Sequence, residues 1–265
     1  ASRSVTHDWT EKIDITEIKL KPLIDLNRTT YFRFAEDEDD YIFNVYKEAN
    51  QGHLYGSLTY DASTTSTNLP TLLVGEEEIS AEPFAATVCK RLNGMLSDFI
   101  TPAIYSYNYE DQISSSFKNA PRILYNNGVV TMSSNSYYIP TQNGVTGGNT
   151  SEYLQFTHLT DIPTNISAPP VATDTRDFNF GVCQLSPGLG QPANNNLFNV
   201  YWLPYFGELY NGDTRIMTMK VNLTPSDINT LKMYDTVFIK NRKFKLNKID
   251  YKPNDLATVE FVLVP

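Results

Sequence analysis

Three histidines, two cysteines and thirty carboxylates carry most of the metal-binding and proton-transfer potential of this 265-residue chain. His7, His53 and His158 are scattered, and none stands at metal-ligand spacing from a second histidine or a cysteine. Each is expected to be a surface or hydrogen-bonded residue. Cys89 and Cys183 are too few and too far apart for a disulfide scaffold or a zinc site, so two free thiols are expected. The acidic run Glu36-Asp37-Glu38-Asp39-Asp40 lacks the alternating acids and the glycine of an EF-hand loop. It precedes a helical stretch, Tyr41 to Lys47, where acids suit the helix dipole, and a solvated helix start is the expectation. There is no Gly-x-Ser-x-Gly elbow, and Gly188-Leu189-Gly190 is not a phosphate-binding loop. An Asp/Glu pair meeting in a cleft would serve a glycosidase, but thirty acids single out no pair. The sequons at Asn149 and Asn165 are those expected by chance in a chain rich in Asn, Ser and Thr. The reading is of a protein that is not an enzyme, with no catalytic residues, no cofactor and no metal.

Charge offers one asymmetry. The net charge of −9 argues against general nucleic-acid binding, which depends on neutralising phosphates. Within this acidic chain, Lys240, Arg242, Lys243, Lys245 and Lys248 cluster on one short stretch. A hydrophilic outer face accounts for the cluster. The sharper reading is a docking edge, with Lys240, Arg242, Lys243 and Lys245 at a subunit interface facing an acidic neighbour, since complementary charge sets register and partner choice.

The elements that carry this cluster are legible locally. Arg215 to Leu223 alternates, with Met217, Met219, Val221 and Leu223 on one face, which is the period of a half-buried strand. Thr224 is a good N-cap, Pro225 suits the first helical position and Asp227 completes a capping box, so a short helix is expected over Pro225 to Leu231. Thr236 to Ile239 and Lys243 to Ile249 read as strands around a two-residue turn at Asn241-Arg242, and Thr258 to Val264 as a last strand. Upstream, Ile13 to Leu20 and Tyr31 to Phe34 suggest strands. Glu82 to Phe99 places Phe84, Val88, Leu92 and Leu96 at helical spacing, and Asn126-Asn127-Gly128 signals a hairpin. Residues 61–70, 140–151, 165–175 and 185–196 read as polar connectors.

With 17 Tyr and 14 Phe and few helical stretches, the expected class is mainly β with a few short helices. One or two small antiparallel barrels with long polar loops are the expected architecture. Two regions are expected, 1–197 and 198–265, divided in the loop-rich stretch before Phe198. No apolar run approaches ~20 residues, so membrane insertion is not expected. The opening Ala1-Ser2-Arg3, without initiator methionine or signal-peptide pattern, is expected of a processed or partial chain.

The segment GELYNGDTRIMTMKVNLTPSDINTLKMYDTVFIKNRKFKLNKIDYKP resembles the closing barrel segment of tail proteins from crAss-like phages and related podoviruses. DWTEKIDI, YFRFAEDEDDYIFNVYKEANQGHLYGSL and APRILYNNGV resemble other parts of the same tail hub or muzzle-type family. The likeness runs from about Asp8 to Lys252 and is weakest over residues 135–191. It implies a tail-tube-like β-barrel in a virion tail, assembled in the host cytoplasm. The implied partners are further copies of the chain in a ring, neighbouring tail proteins, and genome DNA in transient passage through the lumen. It transfers no catalytic residue. An acidic lumen would let phosphates slide past, where a basic one would hold them. Two other classes remain open. A receptor- or glycan-binding tail module would use the tyrosines and exposed polar loops, and a tail-tip polysaccharide hydrolase would need an acid pair in a cleft.

Overall fold

The structure of the chain is a computed structural model. The structure describes residues 6–22, 26–37, 39–65, 73–92, 99–104, 120–131, 137–139, 148–160, 175–181 and 194–263. Strands outweigh helices, 48% to 19%, so the protein is mainly β with four short helices. The strands are β1 (Thr6–Asp8), β2 (Ile13–Pro22), β3 (Asn27–Ala35), β4 (Leu58–Asp61), β5 (Gly75–Ala85), β6 (Cys89–Leu92), β7 (Phe99–Pro102) and β8 (Tyr125–Thr131). They continue with β9 (Tyr137–Ile139), β10 (Gly148–Thr150), β11 (Glu152–Thr157), β12 (Arg215–Val221), β13 (Thr236–Ile239), β14 (Arg242–Asp250) and β15 (Ala257–Leu263). The helices are α1 (Tyr41–Ala49), α2 (Ala62–Thr65), α3 (Leu203–Leu209) and α4 (Pro225–Thr230). No helix among the described residues is long and apolar enough to cross a membrane.

Contacts divide the chain into two interleaved units. The first joins Ala1–Arg28, Asp61–Gly75 and Tyr205–Pro265, and the second joins Thr29–Tyr60 and Glu76–Pro204. One boundary lies between residues 204 and 205. The N-terminal 28 residues, however, group with the C-terminal strands, because pairing across the whole chain outweighs sequence proximity.

The first unit is built on a six-stranded sheet in the order β1-β13-β14-β15-β12-β2. β12, β14 and β15 pair antiparallel as the alternation implies, β2 adds antiparallel to β12, and β1 runs parallel to β13. Among the described residues the two edge strands do not pair, so the sheet is open and no closed barrel is found. One face buries Trp9, Met219, Val221, Val237, Phe244, Val259, Phe261 and their neighbours. β15 shows the cause most plainly, alternating buried and half-buried along its whole length. α4 starts as expected. Thr224 accepts from the Asp227 backbone N–H, and the Asp227 carboxylate accepts from the Thr224 N–H. The β13–β14 turn is Lys240-Asn241 rather than Asn241-Arg242, since Arg242 already pairs with Ile239. A left-handed backbone at Lys240, φ 53°, makes the reversal.

The second unit holds the three-stranded sheet β4-β3-β5 and the pairs β6-β7, β9-β10 and β8-β11; β3 and β5 have their first residues in the other unit. Phe32, fully buried, packs its ring 5.1–5.7 Å from those of Phe180, Phe198 and Trp202. Three expectations are corrected. Glu82 to Phe99 is not a helix: β5 ends at Ala85 and β6 begins at Cys89. Ala85 to Cys89 are buried one after another, which is the signature of an enclosed extended run rather than of a one-sided helix. Asn126-Asn127-Gly128 makes no hairpin either. It lies inside β8, where Asn127 and Gly128 together oppose Gln155 of β11, and Gly128 at φ 80° forms the bulge. Its turn chemistry is spent on the bulge, because the pairing partner comes from further along the chain. The connector expected at Asp61 starts with the helical turn α2, whose Ala62 is buried.

A helical stretch absent from the expectations runs from the π-helical turn Phe198–Trp202 into α3. Asn196 accepts from the Asn199 N–H at 2.8 Å and so supplies its cap. The connectors at 140–147, 165–174 and 185–193, with Cys183, Asn165 and Gly188–Gly190, lie outside the described residues.

Candidate functional site

Two residues of the acidic run before α1, Asp37 and Asp40, are buried rather than solvated, whereas Glu36 and Asp39 are exposed. Asp40 caps the helix through the Ile42 and Phe43 N–H groups, and it is fully buried. The Arg122 side chain, 8% exposed, reaches Asp37 at 2.5 Å and Asp40 at 3.3 Å, and donates to the Ala86 and Ala120 carbonyls. Glu36 pairs with Arg33 and Lys47 instead. The run therefore fixes α1 to the residues around Arg122. Among the described residues no group of three His, Cys, Asp or Glu stands ready to hold a metal ion.

The four basic residues of the predicted interface fall in two settings. Lys240, Arg242 and Lys243 are exposed at the β13–β14 turn, with no acidic partner among the described residues. Lys245 points from the same strand but forms an ion pair with Glu208 of α3. It lines a cavity of about 510 Å3 together with Tyr205, Met233 and Tyr234. Register extends the basic face beyond the hairpin. Lys245 lies beside Val262 and Lys248 beside Glu260, away from the buried face, and Lys220, Lys19 and Lys21 share that outer side on β12 and β2. Sequence reasoning missed Lys19 and Lys21, although their alternation with Ile18 and Leu20 carried the signal.

The opposite, apolar face of this sheet runs out uncovered at β2. Ile18 lies beside Met219 and Leu20 beside Met217, so both continue the core face, yet they are 47% and 57% exposed. The edge itself is blunted. The register slips between Met219 and Lys220, Asp14 folds onto the Thr16 N–H and hydroxyl, and Lys19, Lys21 and Pro22 follow. These are the usual guards against uncontrolled strand pairing.

A second constellation lies in the other unit. Tyr55 Oη and His158 Nε2 are 2.8 Å apart, and His158 Nδ1 is 2.9 Å from Asp177 Oδ1. The same carboxylate oxygen accepts from the Asn179 backbone N–H and side-chain amide. All four residues are buried. Gly56, at φ 76°, makes room for Asn179, whose amide would otherwise meet a β-carbon there. Cys89 is a buried free thiol, and burial pushes it up to about 12, which makes it inert. Of the histidines, His7 bonds Asp235 at 3.0 Å and His53 is exposed, so all three fall within the expected surface or hydrogen-bonded roles. Asp177 also lines a cavity of about 420 Å3 with Tyr125, Arg176, Asn195, Asn196 and Tyr201. Nothing in the sequence brought these together, because they come from three separate segments.

No protein-family model, curated protein or solved structure matches the chain.

Proposed function

We propose that this chain is a structural subunit of a bacteriophage tail, one of several identical copies set in a ring around the DNA channel as a hub or muzzle. The motif resemblance supplies the family. The observation that supports assembly is the open six-stranded sheet whose apolar face ends uncovered at Ile18 and Leu20. A neighbouring copy laid over that edge would cover both side chains and complete a barrel that one chain leaves open. Closed rings use heterologous contacts, in which one patch meets a different patch on the next copy. Exposed Lys240, Arg242 and Lys243 are one such patch. Glu76, exposed on the edge strand β5, is a candidate counterpart. The net acidity suits a lumen that DNA passes without sticking. No chemistry is required of such a subunit.

The triple reversal Lys240→Glu, Arg242→Glu and Lys243→Glu tests this while sparing the Lys245–Glu208 pair. It is expected to stop tail completion and leave the isolated chain folded, and Glu76→Lys is expected to restore assembly in part in that background. Infectious particles at normal yield from the triple variant would reduce the hairpin to a solvated surface. A whole-particle reconstruction that places the chain on a peripheral appendage would overturn the ring.

A further inference from the structure

We infer that the cavity bordered by Tyr125, Arg176, Asp177 and Tyr201 is a binding site for a neutral saccharide of one or two hexose rings. This reading is independent of the ring assembly. The cavity, about 420 Å3, falls within the roughly 300–1,000 Å3 of small-molecule sites. Its walls combine the two features that sugar recognition needs. Tyr201 is 70% exposed on the π-helical turn, offering a ring face to the C–H groups of a pyranose. Tyr125 stacks on Phe178 at 3.9 Å and 9°, which fixes its ring without any ligand. π-helical turns concentrate at functional sites, and this one carries both Val200 and Tyr201 into the cavity.

The polar groups are as firmly set. Asp177 is buried, and its Oδ1 takes three internal donors, those of His158 and Asn179 described above. The Asp177 N–H donates to the Asn195 carbonyl at 3.0 Å, and the Thr160 N–H donates to the Arg176 carbonyl at 3.0 Å. The Tyr55–His158 pair thus acts as a positioning device for the carboxylate. Oδ2 makes none of these bonds and is the oxygen left to accept hydroxyl hydrogens of a ligand. Arg176 and Asn196 supply donors at the same wall. Burial, Asp177 and Tyr201 push the Tyr125 phenol up against the lowering effect of Arg176, so its hydroxyl stays a donor at neutral pH. The Asp177 carboxylate beside the Arg176 guanidinium balances the charge of the wall, which suits a neutral polyhydroxylated ligand better than a phosphate or carboxylate. Asp177 is the single carboxylate among the described lining residues, and glycoside hydrolysis uses two. Binding is the role that these residues support.

The test is saturation-transfer NMR and calorimetric titration of the full chain with free hexoses, N-acetylhexosamines and their disaccharides. Millimolar binding of at least one is expected. Tyr201→Ala, at an exposed position, and Arg176→Ala are each expected to weaken it about tenfold, equivalent to ~1.4 kcal/mol, with unchanged thermal melting. Absence of binding across the panel would overturn the site. So would affinity unchanged in both variants, or preferential binding of a nucleoside monophosphate used as the anionic control.

Discussion

The two units differ in how much polar chemistry they bury. The sheet unit encloses one apolar layer, from Trp9 through Val259 and Phe261, and among its described residues Asp235, bonded by His7, is the one buried charged side chain. The second unit encloses Phe32 and its aromatic neighbours, but beside them it also buries Asp37, Asp40, His158, Asp177 and Asn179. An apolar layer is non-directional and tolerates exchange of one hydrocarbon for another of similar volume. A buried ion pair is directional, and loss of one partner leaves the other charged in a poor solvent. The first unit should therefore be robust to conservative change and the second brittle.

The largest expected effect breaks that contrast open. Arg122→Met keeps an unbranched chain but leaves Asp37 and Asp40 buried without their cation. The expected loss is about 3–5 kcal/mol, whereas Met219→Leu in the sheet unit should cost under about 1.5 kcal/mol. Urea denaturation, with hydrogen exchange read separately at α1 and at β12, measures both. Equal losses in the two variants would mean that water or rearrangement replaces the guanidinium, and that the second unit is no more brittle than the first.

The same contrast explains what was legible in the sequence. Residues 215–263 are legible nearly strand by strand, because Met217, Met219 and Val221 alternate and Thr224-Pro225 with Asp227 punctuates the helix locally. The pairing of β1 with β13 and of β2 with β12 was not legible, since it joins positions some two hundred residues apart. Nor was the helix after Asn196, whose Pro204 and Gly207 speak against one. In the second unit the signals misled. The spacing of Phe84, Val88 and Leu92 imitated a helix, and Asn126-Asn127-Gly128 imitated a hairpin, because each is settled by partners distant in sequence. The basic hairpin was visible as a run, but the Tyr125–Asp177–Tyr201 cavity has no run to see.

A moderate effect is expected from pH at the helix cap of the sheet unit. Lys12 lies 2.6 Å from Asp227, and this bond, with those from Thr224, holds the carboxyl down to about 2 from an ordinary 3.8. A depressed carboxyl stabilises the fold above its unfolded value and loses that contribution as pH falls from about 4 toward 2. Discounted for its partial exposure, the contribution is about 1 kcal/mol at neutral pH. Asp227→Asn should therefore be less stable than the parent by that amount at pH 7, with the difference mostly gone near pH 2 and absent below it. A difference that persists unchanged at pH 2 would assign the effect to the lost capping geometry rather than to charge.

The smallest effect separates stability from assembly at the β13–β14 turn. Lys240 sits at φ 53°, and a left-handed residue with a β-carbon carries roughly 1–2 kcal/mol of strain. Glycine removes that strain but adds unfolded-state entropy of roughly 0.5–1 kcal/mol, so Lys240→Gly should stabilise by about 0.5 kcal/mol. The bond from the residue 240 backbone N–H to Thr10 Oγ1, 2.9 Å, needs no side chain and should survive. If Lys240 also belongs to a docking patch, the same substitution raises the melting temperature of the isolated chain while weakening its association. Lys240→Asn, which tolerates the same backbone and equally lacks the charge, should weaken association to the same degree. A glycine variant that is more stable and assembles normally would confine the docking charge to Arg242 and Lys243.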